Sequence, residues 1–224
     1  MPRNRPSSVS SRDLQEKIAK RLRNAGLAPQ PMVVQGLRVY FELLKRWNRK
    51  IALTSLAVEE DRDEAIDRLL VEPIAAARYL PVSSSKVIDI GSGSGSPAIP
   101  VKLAAPGIFL RMIESKTRKA AFLREAVREL NLSAAEVETA RLEHLLSRPD
   151  LHESADVVTL RAVRTDRRTF VSIQALLKPH GLLFLFRAAP LAEVGTLAPQ
   201  FEWRAAYPLV GSLNSQLIVL QRLS

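Results

Sequence analysis

The sequence lacks cysteine altogether, and this absence excludes several classes of site. Disulfides, thiolate zinc sites, iron–sulfur clusters and cysteine nucleophiles all require the missing thiol. The three histidines, His144, His152 and His180, do not form a metal-binding constellation, so we expect no metal in the protein. With 9 glycines and 14 prolines in 224 residues, the composition also excludes a fibrous protein.

Long apolar runs are missing as well. No stretch approaches the roughly 18 residues that a membrane helix needs. Residues 1–6 are basic but do not lead into the apolar core of a signal peptide. We therefore expect a cytoplasmic protein that does not contact a membrane. Apolar residues still make up 46% of the chain, which is enough for the core of an ordinary globular protein.

Basic residues are in clear excess. The chain has 33 Lys and Arg against 23 Asp and Glu, a formal net charge of +10, and its pI is near 10.4. The first fifty residues hold 12 basic and 3 acidic residues, so they carry most of the excess. This balance favours a polyanionic partner, with nucleic acid ahead of a membrane surface. For the charge alone, a solubilising surface is the alternative interpretation.

Hydrophobic periodicity divides the chain into two parts. Residues 1–80 contain a basic tail and then helices, predicted over 11–24, 30–49 and 59–80, with Pro73 dividing the last helix. Residues 81–224 alternate between strands and helices, which is typical of a mostly parallel, doubly wound α/β sheet. The predicted strands are 86–90, 108–113, 136–140, 155–160, 181–186 and 216–222, and the intervening helices are 98–104, 116–131, 142–147 and 167–177. Turns are predicted at residues 179–181 and, within a final antiparallel pair of strands, at 211–214.

A glycine-rich turn follows the first predicted strand, where Val87-Ile88-Asp89-Ile90 leads into Gly91-Ser92-Gly93-Ser94-Gly95. Glycines let a ligand approach the backbone closely, and the helix that follows offers free N–H groups. The phosphate-binding G-x-x-x-x-G-K-[ST] loop is absent. The dinucleotide G-x-G-x-x-G frame fails from Gly91 because position 96 is Ser, which disfavours a nicotinamide-dependent oxidoreductase. A purely structural turn is the remaining alternative.

Asp89-x-Gly91-x-Gly93-x-Gly95 resembles the first motif of the S-adenosylmethionine-dependent methyltransferases. The chemistry of that ligand agrees with the pattern, because its ammonium group suits an acid beside the turn better than a pyrophosphate would. A second acid is expected at the end of the next strand, where it can hold ribose hydroxyls. Glu114 stands there, 23 residues after Gly91.

Five motifs follow one another along residues 35–222. They are Trp47-Asn48-Arg49-Lys50-Ile51-Ala52-Leu53-Thr54, the glycine turn extended through Pro97 to Pro100, Glu114-Ser115-Lys116-Thr117-Arg118-Lys119 with Ala121-Phe122-Leu123, Ala140-Arg141-Leu142-Glu143, and Asp156-Val157-Val158-Thr159-Leu160-Arg161-Ala162. Their order resembles the bacterial small-subunit rRNA guanine-N7 methyltransferases, also called the glucose-inhibited division protein B family. The extended glycine turn with its two prolines is more specific than a lone glycine motif.

The resemblance implies a Rossmann-like methyltransferase fold over residues 81–224, with residues 1–80 as the basic tail and helical cap. It implies transfer of a methyl group from S-adenosylmethionine to N7 of a guanine in 16S rRNA, free or in the small ribosomal subunit, and we expect a monomer. The cofactor-binding candidates are Asp89, Gly91, Ser92, Gly93, Gly95, Glu114, Ser115, Leu142 and Glu143. Arg161 would line the catalytic mouth. The candidates for RNA contact are Arg49, Lys116, Arg118, Lys119, Arg141, Arg164 and Arg187, with solvated surface as the alternative.

The sequence also departs from the family pattern. Residues 67–72 lack the usual R-H-x-x-D-S, Arg187-Ala188 replaces a Lys-Gly, Ser215-Gln216 replaces an expected arginine, and Ala98 replaces a glycine. These differences leave open a methyltransferase for another RNA, a protein or a small molecule, and also a non-catalytic RNA-binding paralogue. Guanine N7 is a lone-pair nucleophile with no proton to remove, which agrees with a sequence that shows no general-base constellation.

Overall fold

The computed structural model describes residues 11–82, 86–163, 165–187 and 198–224. Helices α1 (Ser11–Asn24) and α2 (Pro31–Asn48) lie within one residue of their predicted bounds. One face of α1 buries Leu14, Ile18 and Leu22, as its apolar spacing predicts. The predicted basic tail lies outside the described residues. Among the helices of the described ranges, none is both long enough and apolar enough to cross a membrane.

The third predicted helix runs from residue 63 to residue 77 and contains an irregular turn. Its parts are α3 (Asp63–Ile66), a π-helical turn (Asp67–Val71) and α4 (Glu72–Ala77). The predicted start at residue 59 was wrong, because Val58–Glu60 form a separate 3-10 turn that ends at Asp61 with φ +52°. Pro73 has no N–H, so it cannot donate to the Leu69 carbonyl four residues earlier. The Ser96 hydroxyl donates to that carbonyl instead, over 2.9 Å.

Within the described ranges, seven strands form one sheet in the order β3-β2-β1-β4-β5-β7-β6. They are β1 (Lys86–Ile90), β2 (Phe109–Ile113), β3 (Ala135–Glu138), β4 (Ala155–Arg161), β5 (Leu177–Arg187), β6 (Phe201–Val210) and β7 (Ser215–Arg222). Strands β1 to β5 are parallel, and β7 pairs antiparallel with both β5 and β6. The connecting helices are α5 (Ala98–Ala104), α6 (Thr117–Glu129), α7 (Leu142–Leu145) and α8 (Arg167–Leu176). The predicted doubly wound fold and its final antiparallel pair are confirmed.

The turn predicted at residues 179–181 was wrong, because these residues lie inside β5. Ala155 pairs with Leu177 but Val157 pairs with Leu182, so β5 accommodates extra residues opposite β4. His180 adopts the left-handed backbone conformation at this irregularity, with φ +63°. Gly181 leaves no room for a side chain, since a Cβ there would lie 2.9 Å from the Lys178 carbonyl. A bulge, rather than a break in the strand, explains the local Pro-His-Gly sequence.

Helices cover both faces of the sheet. One buried cluster joins side chains of α1 and α2 to those of β1, β2, α5 and α6, for example Leu37 and Phe41 with Val87 and Leu110. The cluster on the other face includes Phe170 and other residues of α8. Strands β1 and β4 are neighbours at the centre, where the strand order reverses direction. In open sheets of this kind, ligands bind at the carboxyl ends of the strands beside such a switch point.

Candidate active site

The glycine-rich turn lies at the carboxyl end of β1. The amides of Gly91 and Ser92 both donate to the Ile113 carbonyl, over 2.9 and 3.0 Å, which fixes the turn to the end of β2. Gly91 and Gly93 have φ values of +71° and +49°. This left-handed conformation is costly for residues with a Cβ. Glycine is therefore favoured at both positions by the conformation of the turn.

Glu114 follows β2 and contacts the turn directly. The amide of Gly93 donates to its Oε2 over 2.8 Å, and the amide of Lys116 donates to its Oε1 over 2.7 Å. The side chain is buried, yet a carboxylate can accept further hydrogen bonds on its remaining lone pairs. The structure thus brings the two acidic positions of the sequence pattern, Asp89 and Glu114, to the same turn.

Asp89 is buried beneath the turn. Thr159 of β4 donates its hydroxyl to Asp89 Oδ1 over 2.5 Å, whereas Oδ2 has no hydrogen-bond partner among the described residues. Burial raises the pKa of Asp89 to about 6 from its ordinary value of 3.8, although the Thr159 hydrogen bond opposes the rise. A buried acceptor without a donor favours a cationic ligand group, so these residues fit the ammonium end of S-adenosylmethionine.

A cleft of about 530 Å³ opens beside the turn. Its lining includes Gly91, Ser92 and Gly93 of the turn, residues 53–56 after α2, and side chains from the carboxyl ends of β4 and β5. Among the described residues, five charged ones line it, namely Arg68, Glu72, Lys119, Arg161 and Arg187. The cleft can therefore accept an anion next to the turn that suits the cofactor.

Arg161 ends β4 and is held on three sides. Its guanidinium forms an ion pair with the buried carboxylate of Glu72, and its Nη1 donates to Ser96 Oγ over 2.9 Å. It also lies 5.3 Å from the centre of the Phe186 ring, within the range of a cation–π contact. Burial lowers the pKa of Arg161 to about 10, which leaves it charged at neutral pH.

Helix α2 also contacts the turn. The hydroxyl of Tyr40 donates to the carbonyl of Ser94 over 2.7 Å. Burial raises the pKa of Tyr40 above its ordinary value, so the hydroxyl stays protonated and keeps its donor role.

Several predicted site residues lie away from the cleft lining. Gly95 is buried and packs against Ile99 and Leu123, where a Cβ would lie 2.6 and 3.2 Å from their side chains. Arg49 borders a separate hollow between α2 and Glu129 of α6. Ser115, Lys116, Arg118, Arg141 and Glu143 are exposed and Leu142 is half-buried, all outside the cleft lining. Arg164 lies outside the described residues.

Sequence reasoning missed Arg68, Glu72, Ser96, Phe186 and Tyr40 as site residues. A usable signal was present, because Arg68 and Glu72 lie four residues apart on one predicted helix and replace the family's usual His and Ser. These positions were interpreted only as departures from the family pattern. The structure brings three of the departures together, since residues 68, 72, 187, 215 and 216 all line the cleft.

The parallel sheet with an antiparallel β7, the glycine turn and its two acids define an S-adenosylmethionine-dependent methyltransferase. The fold is shared with solved structures of low sequence identity. TYW2 of P. horikoshii, in complex with MeSAdo, aligns with a TM-score of 0.56 at 12% identity, over 68% of this chain and 61% of that one. A point mutant of MtNAS, in complex with S-adenosylmethionine, aligns with a TM-score of 0.55 at 13% identity, over 98% and 86%.

The chain belongs to the GidB family, rRNA small subunit methyltransferase G, whose family model matches residues 33–206. The ribosomal RNA small subunit methyltransferase G of Xylella fastidiosa strain 9a5c is 36% identical over 79% of this chain and 79% of its own length. The protein of that name from Stenotrophomonas maltophilia strain K279a is 33% identical over 91% and 89%. The one from Syntrophotalea carbinolica is 30% identical over 93% and 98%.

Family membership confirms several predictions made from the sequence. The chain is an enzyme that methylates small-subunit rRNA, and its cofactor is S-adenosylmethionine. The predicted family and the Rossmann-like fold are confirmed as well. The individual roles of the site residues stay predictions.

Proposed function

We propose that the protein methylates N7 of a guanine in 16S rRNA within the cleft beside the glycine turn. One observation carries this proposal. The turn with Asp89 and Glu114, which suits the cofactor, opens directly onto a cleft whose described lining includes four cations and one carboxylate. An RNA strand is the polyanion that such a cleft favours.

The cofactor contacts follow from the chemistry of each residue. The unpaired Asp89 Oδ2 would accept from the ammonium group, and the backbone of Gly91, Ser92 and Gly93 would lie along the methionine end. Glu114 would accept from the ribose hydroxyls with the lone pairs that its two amide donors leave free. Ser115, Leu142 and Glu143 would contact the adenosine from the ends of β2 and β3. When bound, S-adenosylmethionine supplies an electrophilic methyl group.

The protein's contribution to the reaction is positioning rather than proton transfer. Guanine N7 attacks with a lone pair and loses no proton, so the site needs alignment and exclusion of water rather than a base. Glu72 is the one acid among the described residues that line the cleft, and its carboxylate is engaged by arginines. Arg161 is charged and held in place, which suits it to orient the base through the O6 acceptor while N7 stays free.

The remaining basic residues would bind the RNA backbone. Lys119 and Arg187 line the cleft and would contact phosphates near the target. The cations outside the cleft would contact RNA further away, namely Arg49, Lys116, Arg118 and Arg141. Arg164, which lies outside the described residues, stays a candidate for RNA contact. Residues 1–80 would act as the cap and residues 81–224 as the methyltransferase domain. We also propose that the protein acts in the cytoplasm as a monomer.

A modification assay tests the proposal. Purified protein is incubated with labelled S-adenosylmethionine and unmodified small ribosomal subunits, and the methylated nucleosides are identified by mass spectrometry. We expect 7-methylguanosine with the native protein and none with the Gly93→Val variant. Label in another nucleoside would mean a different target atom. No label, despite measurable binding of S-adenosylhomocysteine, would overturn the proposed target and favour another RNA, a protein, a small molecule or a non-catalytic role.

A further inference from the structure

Two arginines of the cleft lining share one carboxylate. Arg161 and Arg68 both contact Glu72, which is the lone acid in the described lining of the cleft. Two guanidinium groups and one carboxylate leave an excess positive charge in a partly enclosed space. Burial lowers the pKa of Arg161, and the nearby charge of Arg68 lowers it further because like charges repel.

The two arginines are held very differently. Arg161 has the Glu72 ion pair, the Ser96 hydroxyl and the Phe186 ring, and its side chain is 15% exposed. Arg68 contacts Glu72 over 3.5 Å, the outer limit of a hydrogen bond, and its side chain is 31% exposed. Glu72 would therefore keep its neutralising partner if Arg68 turned away.

A phosphate group relieves the excess charge that Arg68 brings to the cleft. A guanidinium binds phosphate with two parallel hydrogen bonds, which a single long contact with Glu72 does not offer. Arg68 also stands where the family pattern usually has a histidine, so this chain places a permanent charge at that position.

We infer that Arg68 binds a phosphate of the substrate RNA inside the cleft, turning from Glu72 while Arg161 stays paired with that carboxylate. The inference depends on the proposed function only in placing the RNA in this cleft. Arg68 is then a substrate-binding residue, and Glu72 is the group that holds it when no RNA is present.

Salt-dependent RNA binding tests this assignment. The affinity for a small-subunit rRNA transcript is measured between 50 and 200 mM salt, as order-of-magnitude bounds for such a titration. The native protein is compared with Arg68→Ala, Arg68→Lys and Arg62→Ala. Arg62 is the matched control, since it is an exposed arginine that pairs with Glu60 outside the cleft lining.

We expect Arg68→Ala to lower the slope of log affinity against log salt by about 0.7 to 0.9, the value for one lost phosphate contact. The affinity itself should fall roughly tenfold at low salt, equivalent to about 1.4 kcal/mol. Arg68→Lys should restore the slope, because it keeps the charge, but only part of the affinity, because an ammonium group cannot form the two parallel hydrogen bonds. Arg62→Ala should leave the slope unchanged, and all three variants should bind S-adenosylhomocysteine as the native protein does.

Two outcomes would overturn the inference. Equal slopes for Arg68→Ala and Arg62→Ala would mean that Arg68 contacts no phosphate. A lower affinity for S-adenosylhomocysteine or a lower melting temperature in Arg68→Ala would indicate a structural role instead. The binding assay needs no methyl transfer, so an Arg68-dependent slope without 7-methylguanosine formation would overturn only the proposed reaction.

Discussion

Tyr40 of α2 donates a hydrogen bond to the carbonyl of Ser94 in the glycine-rich turn, over 2.7 Å. The helix that carries Tyr40 lies close against the methyltransferase fold, because a Cβ on Gly36 would come 2.8 Å from the Leu103 side chain of α5. The contact therefore connects the N-terminal helices directly to the glycine-rich turn.

Removing that hydroxyl should loosen the turn. Tyr40→Phe leaves the Ser94 carbonyl without its donor, so we expect a loss of about 1 kcal/mol in the free energy of unfolding. Affinity for S-adenosylhomocysteine, measured by calorimetry, should fall several-fold. Tyr79→Phe is the control, since Tyr79 stacks on Tyr207 away from the turn. Unchanged cofactor affinity in Tyr40→Phe would show that Ser94 is positioned without Tyr40.

Gly93→Val should abolish cofactor binding while the protein stays folded. The position has space for a Cβ, with the Gly91 carbonyl oxygen 3.6 Å and Glu114 Oε2 4.0 Å away, but its φ of +49° is unfavourable for a branched residue. We expect the strain to cost about 1–2 kcal/mol of stability. Calorimetry with S-adenosylhomocysteine and thermal unfolding measure the two effects. Gly107→Val, in open space, is the control, and retained affinity in Gly93→Val would refute the prediction.

Arg161→Ala should reduce methyl transfer far more than cofactor affinity. The substitution also removes the main partner of the buried Glu72 carboxylate, so we expect a destabilisation of about 3 kcal/mol. The double variant with Glu72→Gln should regain part of this stability but none of the activity, because the guanidinium is still missing. If methyl transfer and cofactor affinity fell by the same factor, Arg161 would belong to the cofactor site instead.

The pKa of Asp89 predicts a pH dependence of cofactor binding. Because the folded-state value is raised to about 6, the carboxyl is neutral below that pH and attracts the ammonium group less. Affinity for S-adenosylhomocysteine should fall about tenfold per pH unit below 6, and Asp89→Asn should remove the dependence. A native protein with constant affinity between pH 5 and pH 7, as round bounds around that pKa, would contradict this.

The raised pKa of Asp89 also affects the stability of the unliganded protein. A higher pH favours cofactor binding but lowers this stability. The folded state binds more protons at Asp89 than the unfolded state between about pH 4 and pH 6. Stability should therefore decrease as the pH rises through this window, by up to about 3 kcal/mol for a shift of two units. Urea unfolding at several pH values measures the effect, with Asp89→Asn as the comparison.

Local sequence patterns were sufficient for most of the fold. The alternation of strand-like and helical runs predicted a mostly parallel sheet, although not the order of its strands, and the glycine spacing predicted the turn that Asp89 and Glu114 share. The start of α3 and the bulge in β5 were missed because both depend on backbone conformations of single residues, Asp61 and His180. Such left-handed positions leave little trace in hydrophobic periodicity.

The cleft wall was harder to predict than the turn. Arg161 pairs with Glu72 across 89 positions of sequence, and Ser96 comes from a third segment, so the network exists only in the folded chain. The distribution of basic residues was misleading for the same reason. Arg49 lies in a cation-rich segment but borders a different hollow, whereas Arg68 lies in an acidic stretch and lines the cleft.

The ring of Pro73 sets the direction of a hydrogen bond in the cleft wall. Because the Leu69 carbonyl lacks its helical donor, the proton of the Ser96 hydroxyl is committed to that carbonyl. Only the lone pairs of the same oxygen are then available to Arg161, which has only protons to offer. A residue that permits an N–H at position 73 would compete for the Leu69 carbonyl and free the hydroxyl to rotate. Pro73 of α4 thus determines that Ser96 accepts, rather than donates, in the hydrogen bond that orients Arg161.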